Sequence, residues 1–245
     1  MAFPTRLYGR FGDEKVSNST KRHKFGTIME LPDGSLYRYC LAGEAIGAGQ
    51  LCQGPLAIAN HDMDLAIAAN AAVGASTFTI TLGGTAATLN QYQDGWVYIN
   101  DGAGEGHKYR LESSAVTGSG GTFTCTLEQQ DTVAEALTSA ASLAGLMANQ
   151  YNGALLYNTT PDGVPTGVAA TEISNAEHGW LQTRGWGVVL AAGTQVIGKE
   201  SVASLNTSGA VDPHVATGDA TPGVAIASSP IAVATDYQWV YITIE

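Results

Sequence analysis

The sequence predicts an all-β protein with a small β-barrel or sandwich body, an inserted β-rich subdomain and an extended N-terminal arm. Three observations lead to this prediction. Short runs rich in Thr, Val, Ile and aromatic residues alternate between apolar and polar positions. Turn sequences rich in glycine separate these runs, and the 245 residues include 30 glycines. Helical candidates are few, and the best of them, residues 131–147, also fits a loop and a strand.

The first 34 residues are predicted to form an extended, basic N-terminal arm. They show little strand or helix periodicity, so we expect them to become ordered only against another surface. Residues 1–40 carry seven basic and four acidic side chains, whereas the remainder carries four basic and 18 acidic ones. This distribution favours an acidic docking partner over nucleic acid, with a solvated tail as the alternative. The predicted contacts with that partner are Arg6, Arg10, Lys21, Arg22 and Lys24.

Residues 35–60 and 151–245 are predicted to form the β-rich body, and residues 61–150 the inserted subdomain. In the body, period-2 patterns predict strands at residues 35–43, 163–170, 179–191, 194–198, 221–227 and 236–245. In the insertion they predict strands at residues 76–82, 95–100, 107–113 and 122–128.

The sequence DGAGEGHKYRL at residues 101–111 combines three glycines with a histidine and a lysine. A dinucleotide-binding loop needs the spacing GxGxxG before a helix, whereas here the spacing is GxGxG and an alternating strand pattern follows. A phosphate-binding P-loop needs Ser or Thr after its lysine, but Lys108 precedes Tyr109. The glycines therefore predict a hairpin turn at positive φ, and no phosphate site.

No metal site, cofactor site or cofactor is predicted. His61, Asp62 and Asp64 lie within four residues, but an extended backbone would point the histidine away from both carboxylates. A turn entering the insertion is favoured over an ion site held by a loop. Three cysteines without a CxxC pair fit neither a zinc site nor a disulfide framework, and are expected to be buried: Cys40, Cys52 and Cys125.

No catalytic residues are predicted either, and we expect that the chain is not an enzyme. Glu105 lies next to His107, but two polar residues at the tip of a hairpin are common. A sugar hydrolase would need a pair of carboxylates in a groove, and the candidates Glu172 and Glu177 have no motif around them.

The four tryptophans all lie in strand-like runs, which leaves two alternatives for each of them. They are core residues, or they are anchors of a subunit interface. Trp180 and Trp186 would share one face of an unbroken strand, although Gly185 and Gly187 could introduce a bulge. The set is Trp96, Trp180, Trp186 and Trp239.

Four segments of the sequence resemble structural proteins of tailed bacteriophages, in particular head decoration (cement) proteins. They are GPLAIANHDMDLAIAA at residues 54–69, residues 73–111, PTGVA at 165–169 and YQWVYITI at 237–244. The resemblance covers roughly residues 40–245, and residues 73–111 are its most specific part. It implies a protein that binds the outer surface of the major capsid protein shell, forms homotrimers and stabilises the expanded head.

We therefore expect a virion protein on the outer capsid surface that is synthesised in the host cytoplasm. The sequence shows no signal peptide, and its longest apolar stretch, residues 65–75, is too short to span a membrane. The expected partners are the major capsid protein and further copies of the chain, with no nucleic acid and no membrane. The alternatives are a tail or fibre protein with a host- or glycan-binding β-module.

Overall fold

The chain is all-β, as predicted, and its strands form two barrel-like sheets. The structure, a computed structural model, describes residues 6–139, 141–160, 162–214, 225–227 and 236–245, with residues 225–227 described by their backbone alone. The strands in chain order are β1 (Arg6–Tyr8), β2 (Ile28–Glu30), β3 (Leu36–Ala42), β4 (Leu51–Gln53), β5 (Leu65–Ala66), β6 (Thr77–Thr81), β7 (Trp96–Asp101), β8 (Lys108–Ser113), β9 (Thr122–Leu127), β10 (Leu143–Met147), β11 (Asn152–Leu156), β12 (Pro165–Ala169), β13 (His178–Leu190), β14 (Glu200–Ala203), β15 (Val211–Pro213), β16 (Ala225–Ala227) and β17 (Tyr237–Thr243).

The chain divides into two compact units. Unit 1 comprises residues 1–55 and 153–245, and unit 2 comprises residues 56–152. The strands on either side of unit 2, β4 and β11, are antiparallel neighbours, with Gln53 opposite Leu155. The chain therefore leaves unit 1 and returns to it at adjacent positions of one sheet.

Unit 2 is a closed six-stranded barrel. Its strand order is β5-β10-β7-β8-β9-β6, and Ile67, directly after β5, pairs with Ile80 of β6 to close the ring. Closure removes the free strand edges that an open sheet would present to solvent. The barrel strands β6 to β9 correspond to the four strands predicted for the insertion.

Alternation along the strands of unit 2 separates core from surface. In β6 and β9, Phe78, Ile80, Phe123 and Cys125 point into the core, while threonines occupy the positions between them. These threonines face each other in three cross-strand pairs, which β-branched side chains favour energetically. The TFTIT and TFTCTL sequences therefore determine the inner and outer surfaces of the barrel.

Unit 1 is built on an eleven-stranded sheet that also closes on itself. Its order is β1-β2-β3-β11-β4-β12-β13-β17-β16-β14-β15, and an additional pairing of β3 with β13 completes a ring of β3, β11, β4, β12 and β13. Beyond this ring, β17, β16, β14 and β15 continue the sheet, and Ala191 pairs with Val211 of β15. Strands β1 and β2 lie outside the ring.

The 13-residue strand β13 connects both parts of unit 1. Its first half pairs with β3, and its second half pairs with β17 from Arg184 to Leu190. A register shift separates Gln182 from Arg184, and Gly185 follows at φ +100°. A Cβ atom at Gly185 would lie 3.1 Å from Cα of Ser35, so the close approach of the two backbones requires glycine.

Residues 6–34 do not form an extended arm that awaits a partner. Strand β1 pairs in parallel with β2, and β2 pairs with β3 of the same unit. Phe25, Met29 and Leu31 are buried, with exposed fractions of 4% or less. Burial of these three apolar side chains within unit 1 supplies the ordering free energy that the arm prediction assigned to another surface. Residues 1–5 lie outside the described residues.

The structure also tests three other expected elements. Residues 131–139 form a loop and Leu143–Met147 form β10, so the described residues of the segment 131–147 contain no helix. The expectation of a strand at residues 194–198 is wrong, because the segment is an irregular loop that ends in a turn at Ile197 and Gly198. Gln195 is buried there and its Nε2 donates to the Val211 carbonyl, while Val196 and Ile197 are exposed.

Of the expected strand at 221–227, residues 225–227 form β16 and the preceding residues lie outside the described set. The described part of the chain contains no helix of membrane-spanning length and hydrophobicity.

Candidate functional site

The glycine-rich segment between β7 and β8 is a hairpin turn, as predicted. Gly102, Gly104 and Gly106 have φ values of +77°, +87° and +83°. The amide of Gly102 donates to Oδ1 of Asp101, and that of Gly106 donates to the carbonyl of Ile99. These amides are bonded within the hairpin and do not form an anion cradle.

His61 and its neighbouring carboxylates do not converge. His61 is buried in unit 2, with Nδ1 2.6 Å from the Tyr92 hydroxyl and Nε2 2.8 Å from the Thr85 carbonyl. Asp62 and Asp64 are exposed, and Asp64 accepts a hydrogen bond from the side-chain amide of Asn100. Among the described residues, no group of three or more His, Cys, Asp or Glu side chains could hold a metal ion.

The remaining candidates for chemistry are the hairpin pair Glu105 and His107, the carboxylates Glu172 and Glu177, and the three cysteines. Glu105 is exposed, and Nδ1 of His107 is 3.0 Å from the Gly104 carbonyl within the hairpin. Glu172 and Glu177 flank the turn before β13. All three cysteines are buried and free, and burial raises the pKa of the Cys40 thiol to about 12, so that it stays protonated and unreactive.

An aromatic cluster binds the N-terminal segment to β3 and β13 in unit 1. Tyr39 lies at its centre, with ring centroids 5.1 Å from His23, 5.1 Å from Trp180 and 5.7 Å from His178. The Phe25 ring stacks on the His178 ring at 5.9 Å. Contacts of this kind stabilise beyond the burial of area alone, so the cluster is a principal attachment of residues 18–25 to the body.

Burial and a basic neighbour both act on the pKa of each histidine in this cluster. Burial lowers the pKa of His178, and Lys21 contributes to the decrease, while the hydrogen bond to the Asn18 carbonyl opposes it. Burial also lowers the pKa of His23, with a further contribution from Arg22. Both shifts favour the neutral form of the imidazole in the folded chain.

Unit 1 is expected to lose stability when these histidines become protonated. A histidine whose pKa is lower in the folded than in the unfolded chain stabilises the fold above its unfolded pKa of 6.5. That contribution is lost as the pH falls below this value. The melting temperature should therefore decrease between about pH 7.5 and about pH 5. In His23→Gln/His178→Gln the decrease should be smaller.

Differential scanning calorimetry across this pH range tests the expectation. The matched control is His107→Gln, which places the same substitution in unit 2. Equal pH dependence of the wild type and the double variant would contradict the assignment to this cluster.

Trp186 and Trp239 lie on an exposed face of unit 1. They belong to the paired strands β13 and β17, and their ring planes are parallel within 3° with centroids 6.0 Å apart. Tyr241 packs edge-on against Trp186 at 5.2 Å. The two tryptophans are 49% and 50% exposed, unlike Trp180, which lies in the core at 6%. The side chains of Val188 and Tyr237 are also exposed on this face, and the sequence analysis did not identify them as interface candidates.

Trp96 lies half-buried on the outer surface of unit 2, where it contacts two cations. Nζ of Lys108 is 4.7 Å and Cζ of Arg110 is 5.3 Å from the ring centroid. These are the only Lys or Arg residues of unit 2, which carries nine carboxylates. The contacts are cation–π interactions within the chain. The interface role predicted for the tryptophans stays a prediction.

The predicted basic contact residues all lie on unit 1. Arg6 and Arg10 are exposed, and Nη1 of Arg6 is 2.9 Å from Oε2 of Glu30. Tyr8 lies between these two arginines in the sequence and Phe11 follows Arg10. Their side chains have exposed fractions of 82% and 67%. Sequence reasoning missed these two aromatic residues, although the RLYGRF sequence places Arg6, Tyr8 and Arg10 at alternate positions.

The other three basic residues lie near the aromatic cluster. Nζ of Lys21 is 3.9 Å from the Phe25 ring centroid, and Nε of Arg22 donates to Oδ1 of Asn18 at 3.2 Å. Arg22 and Lys24 are exposed. Residues 6–24 thus carry six basic and two acidic side chains on one unit of the chain.

No protein-family model, no curated protein and no solved structure matches this chain.

Proposed function

We propose that the chain is a capsid decoration protein of a tailed bacteriophage, which binds the outer surface of the major capsid protein shell and stabilises the expanded head. Its location is the outer capsid surface, after synthesis in the host cytoplasm. The sequence resemblance of residues 73–111 supports the class. The observation that carries the binding role is the exposed surface of Arg6, Tyr8, Arg10 and Phe11, named the N-terminal surface below.

The composition of the N-terminal surface suits protein recognition. Tyr and Arg are among the residues that contribute most binding free energy at protein interfaces. Tyr8 and Phe11 are the most exposed aromatic side chains of unit 1 among the described residues. Their burial against a partner would remove a large apolar area from water, and the arginines would pair with acidic groups of that partner.

The N-terminal surface is held in place before binding. The amide of Gly9 donates to the Glu30 carbonyl at 2.9 Å, and the amide of Arg10 donates to Oδ2 of Asp13 at 2.8 Å. A surface that is already ordered loses less conformational entropy on association than a free arm would. Docking therefore proceeds through an edge of the sheet that is ordered before binding, at β1. It does not proceed through the extended arm expected from the sequence.

Many copies of the N-terminal surface on one capsid can bind tightly even if each single contact is weak. A decoration protein that forms homotrimers presents several copies of the N-terminal surface to one lattice, so binding of the second copy is effectively intramolecular. Stabilisation of the expanded head follows from these linked contacts, and needs no catalytic site or cofactor.

The test is co-sedimentation of the purified full chain with expanded capsids that lack their decoration protein. The wild type should bind saturably and raise the melting temperature of the shells. Arg10→Glu/Phe11→Ser should bind at least about tenfold more weakly, because it removes an aromatic anchor and reverses a charge. Lys199→Glu, which makes the same change of charge elsewhere in unit 1, is the matched control.

Two results would overturn the proposal. One is a wild-type chain that does not sediment with the shells. The other is an Arg10→Glu/Phe11→Ser variant that binds as tightly as the Lys199→Glu control.

The alternative proposal is a tail or fibre protein that binds host glycans, and the exposed pair Trp186 and Trp239 is the observation that favours it. Sugar rings stack on exposed aromatic faces, but they also need polar groups nearby. Val188 and Leu190 occupy the adjacent outward positions of β13, which suits an apolar protein contact better. Glycan-array binding that Trp239→Ser abolishes would support this alternative.

A further inference from the structure

Strands β13 and β17 present a continuous outward face of apolar side chains. Their register places Trp186 opposite Tyr241, Val188 opposite Trp239 and Leu190 opposite Tyr237. The residues between them, such as Val189 and Val240, point into the core of unit 1. The β13–β17 face is defined here by Trp186, Val188, Leu190, Tyr237, Trp239 and Tyr241.

The exposed area of this face matches the centre of a protein interface. Burying one aromatic side chain removes about 150–250 Å² from water. Trp186, Trp239 and Tyr237 are 49%, 50% and 56% exposed. Together they leave roughly 300 Å² of aromatic surface in solvent, within the range of the largest patches of monomeric proteins. A standard interface buries about 800 Å² on each partner, so these residues would form its core and need a surrounding rim.

The charge distribution favours a second copy of the same chain as the partner that covers this face. The chain has a net charge of −11, so two copies repel each other in most orientations. Along the outward positions of β13 from Arg184 to Leu190, and of β17 from Tyr237 to Thr243, the only charged residue is Arg184 and there is no carboxylate. Two acidic copies can therefore meet through this face without opposing carboxylates.

We infer that the β13–β17 face is the contact through which the chain associates with a second copy of itself. The same patch is present on every copy, so in a trimer the patches of three copies can meet around a three-fold axis, with aromatic side chains of one copy buried against those of the next. This inference deepens the proposed function, since it rests on the oligomeric state assigned there, and it places that contact on a surface distinct from the N-terminal surface.

The test is the mass of the full chain in solution, measured by light scattering over a series of concentrations without capsids. The wild type should have a multiple of the single-chain mass of 25.3 kDa. Val188→Lys and Trp239→Ser should reduce the mass to that of one chain, with circular dichroism spectra unchanged. Val116→Lys, which places the same charge at an exposed valine of unit 2, is the matched control and should keep the wild-type mass.

The outcomes separate this inference from the proposed function. Monomeric, folded Val188→Lys that still sediments weakly with capsids would support both. A monomeric wild type, or a folded Val188→Lys with the wild-type mass, would overturn the inference whatever the capsids bind. Loss of capsid or glycan binding in a Val188→Lys variant of unchanged mass would assign the face to that other partner, and would also overturn it.

Discussion

Trp180→Ala is expected to reduce the free energy of unfolding of unit 1 by about 3–5 kcal/mol, the usual cost of truncating a buried large aromatic residue. Trp180 is 6% exposed, and its ring lies 5.1 Å from Tyr39 and 5.6 Å from His23. Truncation leaves a cavity between β3, β13 and the N-terminal segment. Urea unfolding followed by circular dichroism measures the change, with the two units fitted as separate transitions.

Trp186→Ala is the matched control, since it makes the same change six residues later in the same strand. Trp186 is 49% exposed, so its loss should cost less than about 1 kcal/mol of unfolding free energy. Both variants are compared at one low protein concentration, because self-association adds to apparent stability. Equal losses for the two variants would contradict the difference in burial on which the prediction depends.

Gly102→Ala is expected to destabilise unit 2 by roughly 3 kcal/mol or more, through strain and a steric clash. The φ of Gly102 is +77°, a conformation that costs a residue with a Cβ atom about 1–2 kcal/mol. The added Cβ would also lie 2.8 Å from the carbonyl carbon of Ala141, and even closer to its oxygen. Because both contacts are with backbone atoms, the neighbouring loop must shift.

Gly106→Ala isolates the strain from the clash. Gly106 has nearly the same φ, +83°, but a Cβ atom there would meet no atom within 4 Å. Its unfolding free energy should fall by only about 1–2 kcal/mol. Calorimetric melting of both variants gives the comparison, and a Gly106→Ala loss as large as that of Gly102→Ala would exclude the backbone clash as the cause.

The barrel of unit 2 was the most predictable part of the fold. Alternation in TFTITL and TFTCTL depends only on the period of a strand, so the inward residues Phe78 and Phe123 follow from the sequence. The three glycines before His107 likewise indicated a turn by their spacing alone. Closure of the ring through Ile67 and Ile80 was not predictable, because it depends on pairing between distant strands.

The surface role of the tryptophans depends on one local irregularity of β13. An unbroken strand would place Trp180 and Trp186 on one face, as the sequence suggested. The register shift after Gln182 and the positive φ of Gly185 occur between them, and β13 changes its partner from β3 to β17. One tryptophan is therefore in the core and the other is exposed. A sequence pattern alone does not show where a strand changes partners.

The packing of the N-terminal segment against unit 1 was not predictable from the sequence. Phe25, Met29 and Leu31 have no regular spacing, so they gave no strand or helix signal before the structure placed them in the core. Their partners, such as Tyr39 and His178, are distant in sequence. Tertiary contacts of this kind carry no local signature, and the basic charge of the segment was the only feature visible.

The attachment of unit 2 has a consequence for protein engineering. A Cβ atom built on Gly153 would lie 3.8 Å from Cβ of Pro55, so the two connections to unit 2 leave unit 1 side by side. To the sheet of unit 1, the 97 residues of unit 2 amount to a long loop between paired strands. A foreign domain whose own termini are adjacent can replace unit 2 between β4 and β11 without separating these two strands. This junction is therefore a suitable site for inserting another protein domain.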